Sequence, residues 1–171
     1  MLTLSFLRHA KSSWDDGSLE DFDRPLAKRG EAAAERMGAY MAAQGVAPEL
    51  ILCSPAVRAR QTLDLVLPHL AGGPTVVHED ALYLAAPSVL LARVRKIEGK
   101  VRHVMIVGHD PAMQVLSLEL SGSGDPEKLQ ALARKFPTAA LAVMRFKARK
   151  WSKVGPAKGR LDLFMAPKML A

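Results

Sequence analysis

Short apolar runs, each cut off sharply and followed by a stretch of helical period, set the plan of this chain. Residues 2–7 (LTLSFL) read as a buried strand that stops at Arg8-His9. Leu50–Cys53, Thr75–His78 and residues 102–107 (RHVMIV) repeat the pattern. Between them, residues 26–44 set Leu26, Ala33, Met37, Tyr40 and Met41 on one helical stripe, with Gly45 as a stop. Ser54-Pro55 opens a helix over residues 56–67, since proline suits a first helical turn. Residues 86–97, 111–120 and 127–135 read as further helices. Strands alternating with helices predict a three-layer α/β/α sandwich around a mainly parallel mixed sheet. The last two strands, over residues 139–146 and 160–165, form an antiparallel hairpin. Residues 15–23 (DDGSLEDFD) and 121–126 (SGSGDP) read as loops. With no internal repeat and no linker, one domain over residues 1–171 is expected.

Composition narrows the setting. Apolar residues make up 49% of the chain and charged residues 24%, which suits a folded protein and argues against disorder. A single cysteine, Cys53, excludes an intramolecular disulfide and fits a reducing compartment. The first apolar run has no basic segment before it and is too short to span a bilayer, so a cytoplasmic protein without membrane partners is expected. The net charge of +7 favours an anionic partner: a phosphorylated molecule, an acidic protein or nucleic acid. The densest basic run, residues 145–153 (RFKARKWSK), reads as a solvated strand end and hairpin. No nucleic-acid-binding motif accompanies it, so nucleic acid is not the expected partner.

In open α/β sheets the site lies beyond the carboxyl ends of the strands. The residues there are Arg8-His9 after the first strand and residues 54–62 (SPAVRARQT) after the second. The third strand leads into Glu79-Asp80 and the fourth into Gly108-His109. Converged on one edge, they would pool two histidines, one to three arginines and one or two carboxylates. That set suits phosphoryl transfer. Guanidinium forks stabilise the equatorial oxygens, and a neutral imidazole whose other nitrogen is hydrogen-bonded is a competent nucleophile towards phosphorus. Arg58 and Arg60 share a helix, so one faces the site and the other solvent. His69, His78 and His103 match no zinc spacing. Cys53 reads as a buried strand residue, because a cysteine-based phosphatase would carry arginine where Ala59 stands. Trp14 and Tyr83 either line the pocket mouth or pack.

These residues resemble the histidine phosphatase superfamily, the phosphoglycerate-mutase-like phosphatases. Arg8-His9-Ala10-Lys11-Ser12-Ser13-Trp14-Asp15 is similar to the family's first motif, Arg-His-Gly with a following Trp. Ser54-Pro55-x-x-Arg58-Ala59-x-Gln61-Thr62 and Val107-Gly108-His109-Asp110-Pro111 look like the second and third. Arg24-Pro25-Leu26-x-x-Arg29-Gly30 and Leu82-Tyr83, in a small chain, are most similar to the SixA-type phosphohistidine phosphatase branch. The resemblance implies a phosphoglycerate-mutase-like fold, a covalent phosphohistidine on His9, and phosphoryl binding by Arg8, Ser12, Arg58 and His109, with neither metal nor cofactor. The implied partner is a protein phosphohistidine or a small phosphorylated metabolite. A sugar or nucleotide-related phosphomonoesterase and a catalytically weak phosphate-binding module are the alternatives. Mutase-like relatives carry an acid near Glu79-Asp80, and Asp80 has the better offset from Tyr83, which makes it the candidate general acid beside the plainer reading of an acidic turn. An alkoxide leaving group needs such an acid more than imidazole does. Three departures stand out. Ala10 replaces the motif glycine and is tolerated at negative φ. Lys11 replaces a common acidic residue. Asp15 stands where an asparagine often contacts phosphate, and is compatible with an anion only if it points away or pairs with arginine.

Overall fold

A computed structural model describes residues 1–170. Its strands are β1 (Leu2–Arg8), β2 (Leu50–Cys53), β3 (Thr75–His78), β4 (His103–Gly108), β5 (Ser121–Gly124), β6 (Leu141–Phe146) and β7 (Gly159–Met165). Five α-helices accompany them: α1 (Lys28–Ala43), α2 (Val57–Val66), α3 (Pro87–Arg95), α4 (Ala112–Leu120) and α5 (Pro126–Arg134). The strands form one mixed sheet in the order β3-β2-β4-β1-β6-β7-β5. β1, β2, β3 and β4 run parallel, whereas β6 lies antiparallel to both β1 and β7.

Alternation along β1 divides the core. Leu2, Leu4 and Phe6 are fully buried on one face, among Leu91 and Val94 of α3 and Met113 and Leu116 of α4. Leu7 points the other way, to Met37 and Met41 of α1 and to Leu63 and Val66 of α2. Helices therefore cover both faces, and the sheet is the middle layer of an α/β/α sandwich. Fully burying each such side chain contributes about 1.5–3 kcal/mol, so β1 anchors itself from both sides. Its carboxyl end is fixed between its neighbours: His9 N–H donates to Gly108 O, and Arg8 N–H to Ala140 O.

Two segments read as loops carry structure. Ser121–Gly124 is β5, paired in parallel with β7 at the sheet edge. It has no apolar alternation to announce a strand. Gly122 shows what holds it there instead: a Cβ on that residue would stand 1.9 Å from Ala157 O. Within the acidic stretch, Asp21–Asp23 forms a 3-10 turn. Among the described residues, no helix is long and apolar enough to cross a membrane.

Candidate active site

The ends of β1, β2 and β4 lie side by side, and Arg8, His9, Arg58 and His109 meet there with Lys11, Ser12, Trp14 and Arg24 around a cleft of about 280 Å³. His9 is 7% exposed and His109 5%. Their ring centroids stand 5.3 Å apart.

His9 is held in one orientation. Its Nδ1 lies 2.7 Å from Ala10 O, so the ring proton sits on Nδ1 and donates to that carbonyl, which leaves Nε2 as the acceptor nitrogen, facing Arg58 Nε. Burial, before any neighbouring charge, pushes the His9 pKa down to about 3, with His109, Arg58 and Arg8 adding to the effect. The imidazole is thus neutral at physiological pH. The backbone around it is clasped from two directions. Ala10 N–H donates to Thr62 Oγ1 at 2.9 Å, and Thr62 in turn donates to Arg58 O at 2.7 Å. Ala139, at a φ of 61°, gives its N–H to both Arg8 O and His9 O. Ala10 is fully buried and is not among the positive-φ residues, so its methyl group is tolerated where the motif has glycine.

Arg58 spans the cleft from the first turn of α2. Its Nε lies 3.4 Å from His9 Nε2, and its Nη2 lies 3.5 Å from His109 Nδ1. Arg60, from the same helix, is exposed and turns back to Pro55 O. Ser54 Oγ bonds His109 Nε2 at 2.7 Å and fixes that ring. Burial and then Arg58 push the His109 pKa down to about 4. Arg8 donates from Nη1 to Phe136 O at 2.8 Å. Among the described residues, its Nε is the one buried side-chain nitrogen or oxygen with no partner. A buried donor left unpaired is costly, and in a cleft lined by arginines its natural complement is an oxyanion. A Cβ on Gly108 would meet Met113 Cε at 3.3 Å, so its smallness leaves room for α4 against the end of β4.

Two further residues join the site: Asp21, which no motif singles out, and Tyr83, one of the two aromatic residues expected at the pocket mouth or in packing. Asp21 accepts from Arg58 Nη2 at 3.0 Å and from Arg24 Nη1 at 2.9 Å, while its own carbonyl accepts Arg58 Nη1 at 2.8 Å. Tyr83 donates its phenol to the same carboxylate and stands edge-on to His109. The Tyr83 hydrogen bond, followed by Arg58 and Arg24, pulls the Asp21 pKa down to about 2, so the group is an anion and carries no proton to give. Arg24 is buried, donates to Ser12 Oγ and to Ser13 O, and stacks over the exposed Trp14 ring.

The predicted acids lie elsewhere. Glu79 is gripped by Arg93, with both oxygens 2.8 Å from Nε. Asp80 is exposed on a short turn and is not among the residues lining the cleft. Asp110 does line it, but its Oδ1 accepts the Gln114 amide at the start of α4. Asp15 is exposed, outside the lining and in no ion pair among the described residues. Cys53 is buried and its thiol is pushed up to about 12, chiefly by burial, which leaves no thiolate for catalysis. Among the described residues, no three His, Cys, Asp or Glu side chains cluster as a metal site would require.

This arrangement has relatives. Residues 4–83 match the histidine phosphatase superfamily (branch 1). The uncharacterized protein Rv1276c of Mycobacterium tuberculosis is 36% identical over 164 residues, covering 95% of this chain and all of that one. A structure described as a candidate phosphohistidine phosphatase SixA from Agrobacterium tumefaciens superposes with a TM-score of 0.81 at 33% identity, over 97% of this chain and 98% of that one. The protein histidine phosphatase SixA complexed with tungstate shares the fold, with a TM-score of 0.79 at 24% identity over 99% and 100% of the two chains. The chain belongs to the histidine phosphatase superfamily, in its SixA-like branch, and is a phosphatase.

Proposed function

We propose that this phosphatase hydrolyses phosphohistidine on a protein, by way of a covalent phosphoryl group on His9. The observation that carries the reading is the pairing of a neutral, oriented imidazole with a cleft from which both predicted acids, Glu79 and Asp80, are absent. His9 Nδ1–H is committed to Ala10 O, so Nε2 is the atom that attacks. The P–N bond to the substrate imidazole breaks as the P–N bond to His9 forms. Arg8, Arg58 and His109 bear the charge on the three equatorial oxygens, and Ser12 orients Arg24 at the rim. Water then attacks phosphorus, inorganic phosphate leaves, and His9 is restored. A substrate phosphohistidine that carries a proton on its distal ring nitrogen departs as neutral imidazole, a weak base with a conjugate-acid pKa of about 6.5, without the general acid that an alkoxide requires. The carboxylate that reaches Arg58, Asp21, is held ionised, and Asp80 stands outside the cleft. The lone buried Cys53 agrees with work in a reducing compartment such as the cytoplasm.

The test is a panel of a phosphohistidine protein, phosphoramidate and common phosphomonoesters. Wild type should prefer the P–N substrates, and His9→Ala should lower their turnover by at least about a thousandfold. Rapid quenching should trap an acid-labile phosphoryl group on His9. Asp80→Ala should leave both substrate classes unchanged. A preference for esters, or an ester-specific loss in Asp80→Ala, would turn the reading towards a small-molecule phosphomonoesterase.

A further inference from the structure

Beside the His9 cleft lies a second, larger groove of about 660 Å³, and the two share Arg8, Lys11 and Thr138. Arg29 and Arg36 of α1 line it with Lys135 and Lys168, and no Asp or Glu side chain does. Arg29, Lys135 and Lys168 are exposed, and none of them takes part in an ion pair with a carboxylate side chain among the described residues. Arg29 and Arg36 are seven residues apart on α1, hence about 10 Å apart along one helix face. Arg36 also donates to Pro167 O and Leu170 O, which ties residues 167–170 to α1 beside the groove. Ala33, Pro137, Ala166 and Pro167 give it an apolar floor.

We infer that this groove docks an acidic segment of the phosphoprotein substrate, with carboxylates on the cationic rim and small apolar side chains on the floor. The inference rests on the phosphohistidine reading, because it seats the same substrate molecule that presents its phosphoryl group to His9. The length of the cationic row favours a protein over a metabolite. A phosphoryl group in the His9 cleft and a contact at Lys168 require a ligand that spans both cavities. The lining favours a protein over single-stranded nucleic acid, since no Phe, Tyr or Trp faces the groove to stack a base. Unpaired rim charges act mainly through encounter and register, and they lose force as salt shortens the Debye length to about 8 Å at 0.15 M.

Two synthetic peptides test this, each bearing one phosphohistidine, one flanked by glutamates and the other by glutamines. Wild type should turn over the glutamate peptide with a kcat/KM about tenfold higher at low salt, and the gap should close as salt is added. The triple variant Arg29→Glu, Lys135→Glu, Lys168→Glu should lose that preference and keep wild-type phosphoramidate hydrolysis. The unphosphorylated, fluorescein-labelled glutamate peptide should bind wild type more tightly than the triple variant by anisotropy, whether or not the chemistry on His9 is as described. Equal turnover and equal binding of the two peptides by wild type would overturn the inference. So would tighter binding of a labelled single-stranded RNA of the same charge. Absence of any P–N hydrolysis by wild type, with the binding preference intact, would sink the catalytic reading and leave the groove standing.

Discussion

At the scale of single residues, the decisive balance is between Arg58 and the carboxylate beside it. A guanidinium proposed to hold phosphoryl oxygens needs a fixed orientation before substrate arrives. Asp21 supplies it twice, through its carbonyl to Nη1 and its carboxylate to Nη2. Arg24 and Tyr83 hold Asp21 in turn, so Arg58 is the inner end of a chain of charge-assisted hydrogen bonds. The same carboxylate is an anion at the edge of the proposed anion site, which sets positioning against repulsion. Nε of Arg58 and the Nε2 of His9 stay outside the Asp21 contact, so the face of the guanidinium towards the proposed nucleophile is uncommitted to it. Positioning should therefore win. Asp21→Asn is expected to lower kcat/KM for phosphoramidate about tenfold, the worth of one charge-assisted hydrogen bond. Steady-state kinetics with orthovanadate as a competing anion separate the two roles. Tighter vanadate binding with turnover preserved would show that Asp21 competes with substrate.

At the scale of elements, the joints after β1 and β2 are locked to one another by residues outside the cleft lining. Thr62 joins α2 to the His9 loop, and Gln61 Oε1 accepts the Leu26 N–H that leads into α1. Gly30 lets α1 lie directly on that loop, for a Cβ there would stand 2.1 Å from Lys11 O, while Ala27 N–H donates to the same oxygen. These contacts give physical reasons for the Gln-Thr of one motif and the Arg-Gly of another. Thr62→Val keeps the shape and strips the acceptor from a buried amide. It should destabilise the protein by about 1–3 kcal/mol and depress kcat more than it raises KM, as urea denaturation and steady-state rates would show. A variant as stable and as fast as wild type would mean that the Ala10 amide finds another partner. Such joints were legible in the sequence because each is local: an apolar run, a break and a helix start within a dozen residues. Asp21 was not, since its partners Arg58 and Tyr83 stand 37 and 62 residues away. Nor was β5, which is defined by backbone fit rather than by apolar alternation.

At the scale of the whole molecule, burying histidines beside arginines makes the fold sensitive to acid. His9 is pushed down to about 3, and His109 and His103 to about 4, burial being the first cause for all three. In the unfolded chain each returns to about 6.5. Between those values the unfolded state binds protons that the native state does not, so stability rises with pH across this window. The histidine contribution is complete above about pH 6.5 and is lost as pH falls towards 4. Asp21 acts lower down. Its pKa is held at about 2, against an ordinary 3.8, so its contribution is present above that ordinary value and disappears towards pH 2. Two acid steps should follow, the histidine one first. Going from pH 7 to pH 5 should cost on the order of 1–2 kcal/mol per buried histidine, measured as a falling urea midpoint. His103 lies away from the cleft, bonded to Ser5 Oγ at 2.6 Å, and isolates the effect from catalysis. His103→Gln should keep phosphoramidate turnover and flatten the stability slope between pH 7 and 5 by about a third, its share as one of three such groups. An unchanged slope in that variant would mean that His103 takes up its proton in the folded protein, and the acid step would then belong to the site histidines alone.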